Sequence, residues 1–164
     1  MIRKLILLGL FIPCLVMGCR SNHGWAKIFL QKGHQMVAKG DYDAAIAEFN
    51  KARLMDKEND QVYIAMAEVY WKKGDYDIVR EYLGKAMRLN SQPAKYYAML
   101  GDCLVKDGQD MSAVTDGYDR AILRDPSVKE YHQKRDGALQ RWGASEKDYQ
   151  MIVEKMRKIF GDKY

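Results

Sequence analysis

The chain has 164 residues, with 27 Lys and Arg against 22 Asp and Glu, and a formal net charge of +5. So small an excess, with acids interleaved among the lysines, excludes a dedicated nucleic-acid binder and describes a solvated mixed-charge surface. The length suits one domain, and aromatics are plentiful, 11 of them Tyr.

Residues Met1 to Gly18 have the organisation of a targeting leader. Arg3 and Lys4 form the charged end and Leu5 to Met17 the apolar run, interrupted by Pro13. That run is too short to span a bilayer, which takes roughly 20 apolar residues. The leader closes on Val16-Met17-Gly18-Cys19, which resembles a bacterial lipobox, where a small residue precedes a cysteine that is acylated before cleavage. Cys19 is therefore the expected lipidation site, and the processed chain is expected to be tethered to a membrane without crossing it. Arg20 stands where, by the rule for Gram-negative lipoproteins, Asp would retain the protein in the inner membrane. This implies the periplasmic face of the outer membrane, or the outer side of the plasma membrane in a Gram-positive host. With Cys14 lost in the leader and Cys19 acylated, Cys103 has no partner for a disulfide and is expected to be a buried, inert thiol. Residues 19–24 form a tether that reaches under about 20 Å even when extended.

From Trp25 the chain is paced by repetition. Lys39, Gly40, Asp41, Tyr42, Asp43, Lys51 and Ala52 recur as Lys73, Gly74, Asp75, Tyr76, Asp77, Lys85 and Ala86, at an offset of 34 residues. Gly108 and Gly143 continue the beat. A fixed period of this length marks stacked helical hairpins. The glycines are expected at left-handed turns between antiparallel helices, with Asp41 and Asp75 capping the helices that follow. The predicted helices are Trp25 to Lys39, Tyr42 to Met55, Asp60 to Lys73 and Tyr76 to Leu89, with Pro93 opening the next. Their packing stripes are Trp25, Phe29, Gly33, Met36 and Val37; Tyr42, Ala45, Ile46, Phe49 and Ala52; Tyr63, Met66, Ala67 and Tyr70; Tyr76, Val79, Leu83 and Ala86; Tyr97, Leu100, Gly101 and Leu104; and Tyr118, Ala121 and Ile122. One residue is extra between Gly108 and Tyr118 and should bulge the third loop or helix.

Residues 127–164 hold a degenerate fourth unit and a last helix. Tyr131, Arg135, Ala138, Leu139 and Trp142 make a more polar stripe, and Ser145 with Asp148 resembles a helix-capping pair. Tyr149, Ile152, Val153, Met156 and Phe160 then form one apolar face, opposite Lys155, Arg157 and Lys158. A helix that caps the open end of the stack is the simplest reading; a basic amphipathic helix lying on lipid is the other.

The small residues Gly33, Ala67 and Gly101, the turn glycines, the Ala-aromatic-Ala stripe and the closing Asp125-Pro126 resemble the tetratricopeptide repeat (TPR) over 25–126. The resemblance implies an all-α solenoid of antiparallel helix pairs with a C-terminal capping helix. It also implies a concave groove lined by the first helix of each pair, with Lys27, Leu30 and His34, then Gln61, Ile64, Glu68, Trp71 and Lys72, then Lys95, Asp102 and Lys106 on it. Trp71 is either an aromatic anchor for a bound peptide or ordinary packing against the next pair. Glu68 and Asp102 stand where relatives that clamp a terminal carboxylate use Asn or a cation, which argues against that activity.

No phosphate loop, nucleophile elbow or His-Glu-x-x-His is present, and the three histidines are scattered. No enzyme, cofactor or metal is implied. The expected function is a membrane-anchored scaffold that binds another protein or peptide during assembly of an envelope machine. Similar TPR lipoproteins serve type IV or tight-adherence (Flp) pili and secretion channels, where the partner would be a secretin or pilus component. An adaptor recruiting cell-wall enzymes and a soluble secreted peptide-binding domain are the alternatives.

Overall fold

The computed structural model describes residues 13–109 and 111–160, with side chains from residue 22 onward apart from Ser112 and several in the last helix. Their secondary structure is entirely helical, in the order α1 (Pro13–Ala38), α2 (Tyr42–Met55), α3 (Asp60–Lys73), α4 (Tyr76–Leu89), α5 (Ala94–Lys106), α6 (Met111–Arg124), α7 (Lys129–Arg141) and α8 (Glu146–Phe160). Helices α2, α3 and α4 have the bounds read from the sequence. Helices α1 and α2, α3 and α4, and α5 and α6 pack together as antiparallel pairs, each pair leans on the next, and α7 packs on α6, so the described residues form a row of pairs around successive small cores.

The turns repeat at atomic level. Gly40, Gly74, Gly108 and Gly143 have φ of 78°, 83°, 68° and 62°, a left-handed conformation that a Cβ would strain. After each, the next residue's amide reaches back to close the helix: Asp41 to Met36 O, Asp75 to Tyr70 O and Gln109 to Leu104 O at 3.0 Å, and Ala144 to Leu139 O at 3.1 Å. Asp41 caps α2 by accepting from the Ala44 amide, whereas Asp75 makes no side-chain cap bond. Despite the extra residue of the third hairpin, Tyr118 and Ala121 keep the spacing of Phe49 and Ala52 and are buried as those are.

Small residues on the first helices let the second helices approach. A Cβ on Gly33 would lie 2.2 Å from the Phe49 ring, and one on Gly101 would lie 2.8 Å from the Tyr118 ring. Ala45, Phe49, Ala52, Val62 and Met66 fill the first core, and Val79, Leu83, Ala86, Tyr96 and Tyr97 the second. Polar bridges tie the second and third hairpins: Asp60 accepts from Tyr96 Oη at 2.6 Å and from Asn90 Nδ2 at 2.9 Å. Burial alone would raise the Asp60 pKa, but these bonds together with those from Gln61 hold it below its ordinary value.

Two expectations need correcting at the amino end. Helix α1 is described over Pro13–Ala38 rather than from Trp25, so residues 19–24 are part of it as helix. His23 Nδ1 lies 2.7 Å from Asp56 Oδ2, which ties this stretch to the end of α2. Trp25 is 52% exposed rather than packed, and Ala26 takes the buried place. The leader up to residue 12 lies outside the described residues, as does the side chain of Cys19. Among the described residues, no helix is long and apolar enough to cross a membrane.

At the carboxyl end Ser145 and Asp148 form the reciprocal cap. The Ser145 amide and hydroxyl donate to Asp148 Oδ2 at 2.9 and 2.7 Å, and the Asp148 amide donates back to Ser145 Oγ at 3.3 Å. These bonds hold the Asp148 carboxyl below its usual pKa. In α8, Ile152 is half-buried and Met151 exposed, while the side chains of Tyr149, Val153, Met156 and Phe160 lie outside the described ones.

Candidate functional site

The first helices α1, α3, α5 and α7 lie side by side because each hairpin repeats the geometry of the one before. Where the carboxyl-terminal halves of α3, α5 and α7 converge, a half-open cavity of about 400 Å³ forms. Trp71 comes from α3, Asp102, Val105 and Lys106 from α5, and Gln133, Lys134, Gly137, Ala138 and Arg141 from α7, with Tyr118 beneath.

Three of the expected groove residues, Trp71, Asp102 and Lys106, meet at this cavity. Trp71 serves both readings: its ring packs edge-on against Tyr76 at 5.3 Å and against the second core, and it still lines the cavity. Lys27, His34, Gln61, Glu68, Lys72 and Lys95 are exposed on the same series of helices but do not line it. Of these, His34 packs edge-on to Phe49, Gln61 Nε2 donates to Tyr96 Oη at 2.9 Å, and the Lys95 ammonium lies over the Tyr96 ring. Leu30 is half-buried on the first core. Ile64 is a correction. It is only 4% exposed, buried in the second core with the α5 residues Tyr97 and Ala98.

Asp102 is held from two sides. Tyr118 Oη donates to Oδ1 at 2.8 Å and Lys134 Nζ to Oδ2 at 2.7 Å, with Glu130 also accepting from Lys134 at 3.0 Å. Burial together with the neighbouring Asp102 carboxylate pushes the Tyr118 hydroxyl pKa well up, so it stays a proton donor. Burial would lower the Lys134 pKa, but its bonds to Asp102 and Glu130 outweigh that and raise it. Cys103, behind this wall, is buried with its thiol pushed up to about 11 by burial and donating to Tyr76 O at 3.3 Å, an inert thiol. Among the described residues no group of three His, Cys, Asp or Glu side chains is placed to hold a metal ion.

Five of the lining residues come from α7, which sequence reading left outside the groove. The turn glycines Gly108 and Gly143 stand 35 residues apart. Carrying that offset forward sets Gly137 against Asp102 and Arg141 against Lys106, and this was the signal available. The loss of the packing pattern in the fourth unit hid it.

Residues 36–103 match the tetratricopeptide repeat family. Solved TPR structures agree with the fold beyond that segment. The first TPR domain of Spaghetti (RPAP3), bound to an HSP90 peptide, aligns with a TM-score of 0.69 at 20% identity, over 74% of this chain and 98% of that one. The MamA protein aligns with a TM-score of 0.69 at 24% identity, over 82% of this chain and 72% of that one. In sequence, the chain is 31% identical over 96 residues to a TPR repeat-containing protein of Methanocaldococcus jannaschii. That match takes in 57% of this chain and 16% of the relative, so the chain spans only a small part of the relative's length. The fold is a TPR-type solenoid, and such repeats are in general interaction modules, not catalysts.

Proposed function

We propose that this chain is a lipid-anchored scaffold whose concave face holds a segment of another protein while Cys19 fixes it to a membrane. The observation that carries the binding half is the cavity shared by three successive first helices, with the aromatic face of Trp71 on one wall and charged side chains on the others. Concave, partly apolar sites with a few placed polar groups are where ligands bind, and the RPAP3 TPR domain was solved with a peptide.

Support for the anchoring half is the lipobox-like Val16-Met17-Gly18-Cys19, followed by exposed Trp25 and Ile28 on the outer face of α1 with Lys27 and Lys32 close by. Trp at the headgroup level and cations toward anionic lipid are the usual furniture of a membrane interface. Arg20 favours the periplasmic face of an outer membrane. Assembly of a type IV or Flp pilus or of a secretion channel, with a secretin or pilus component as partner, is the machine proposed.

The test is affinity capture from solubilised envelopes with the parent chain, Trp71→Ala and Cys19→Ser. The reading predicts that Trp71→Ala loses the partner and that Cys19→Ser loses labelling by a palmitate analogue. Equal recovery of the same partner by the Trp71 variant would remove the groove, and undiminished labelling of the Cys19 variant would remove the anchor.

A further inference from the structure

We infer that the cavity between α3, α5 and α7 is a subsite for the side-chain carboxylate of an Asp or Glu inside the bound segment, with an apolar neighbour of that residue seated on Trp71. This rests on the reading that the concave face holds a polypeptide and adds which end of the face is used and for what chemistry.

The space exists because of one residue. Gly137 stands where the preceding unit has Asp102, and a Cβ built on it would meet nothing within 4 Å. The α7 wall is therefore recessed, and the resulting volume of about 400 Å³ accommodates an acidic side chain and its neighbour. The charge inside is unbalanced. Asp102 is already satisfied by Tyr118 and Lys134, and Glu130 by Lys134. Lys106 and Arg141 remain, at equivalent places on α5 and α7, both exposed, both lining the cavity, and neither in an ion pair among the described residues. Both are last residues of their helices, where the partial negative charge of a helix end, roughly half a unit, accounts for a cation's presence but is smaller than the cation's full charge. The residual field is positive, and Arg141 offers a planar fork suited to a carboxylate. Farther along the face, Glu68 is exposed one turn before Trp71 and repels an acid there, which directs the acid to the α5–α7 end.

The test uses the full chain in detergent and a random peptide library displayed on phage with each peptide's carboxyl end fused to coat protein, so that only internal carboxylates are offered. Selected sequences should carry Asp or Glu beside an apolar residue. Synthetic versions with an amidated end should bind, and replacing the acid by its amide should weaken binding about tenfold, as should Lys106→Glu combined with Arg141→Glu. Gly137→Leu should fill the cavity and abolish binding with an unchanged helical circular-dichroism spectrum. Selected sequences without acids, an affinity indifferent to the double charge reversal, or binding only by peptides with a free carboxyl end would each overturn the subsite. A library that yields the same sequences on Trp71→Ala as on the parent would instead bring down the concave-face reading itself.

Discussion

The first helices of the first three hairpins and helix α7 meet their neighbours by different chemistry. In the first three, a small residue on the first helix, Gly33, Ala67 or Gly101, admits a large apolar one from the second, Phe49, Leu83 or Tyr118. At the corresponding place in α7 stands Asp136, half exposed, and the neighbouring Arg135 is buried instead, at 3.3 Å from Asp119, whose side chain is 0% exposed. The early hairpins are held by shape, which tolerates no added atom. Helix α7 is instead joined to α6 by a buried charge pair, which tolerates no missing partner. Freed from the shape rule, α7 can carry the glycine that opens the cavity.

The sharpest way to break this comparison is to remove one charge. Arg135→Met leaves Asp119 without its cation in a dry site and should cost about 3–5 kcal/mol. Adding Asp119→Leu should recover most of it, read from urea unfolding followed by circular dichroism. A single substitution that costs nothing would mean that α7 is held by its apolar contacts alone. Next comes one methyl group added in two places. Gly101→Ala drives a Cβ into the Tyr118 ring and should lose about 1–3 kcal/mol, whereas Gly137→Ala enters open space in a helix and should gain up to about 1 kcal/mol. Equal signs in thermal melts would contradict the recess. Ser145→Ala removes the reciprocal cap of α8 and should cost about 0.5–2 kcal/mol, felt as loss of amide-exchange protection confined to the start of that helix.

The smallest effect expected is on acid stability. The folded Asp60 pKa lies below 3.8, so its bonds to Tyr96, Asn90 and Gln61 contribute stability above that pH that is lost as the pH falls through the folded value. Tyr96→Phe should flatten the pH dependence of the unfolding midpoint in that acid window and leave it unchanged near neutrality. An identical acid slope in the variant would mean that Asp60 is not held by the Tyr96 hydroxyl.

Much of the architecture was legible because its cause is periodic. A glycine at each reversal and apolar residues at helical spacing report on single helices and single turns, and α2, α3 and α4 begin and end where that pattern says. Errors arose where burial depends on a neighbour that the local pattern does not contain. Trp25 has the spacing of a packed residue but is left exposed, and Ile64 has the place of a groove residue but is buried in the second core with α5 residues. Trp71, Asp102 and Lys106 were found from their repeat positions; the α7 half of the cavity was not, because Gly137 and Arg141 matter only by what lies across from them.

By itself the sequence determined the number of reversals, the helical character of the segments between them and the pacing of the stack, since each depends on residues within a turn or two of one another. Only the tertiary structure decided which of the repeated positions face solvent, that Asp102 is neutralised while Lys106 and Arg141 are not, and that a glycine in the least regular repeat leaves a hollow. Those outcomes are set by side chains 30 or more residues apart, such as Asp102 and Lys134, brought together when one hairpin docks on the next.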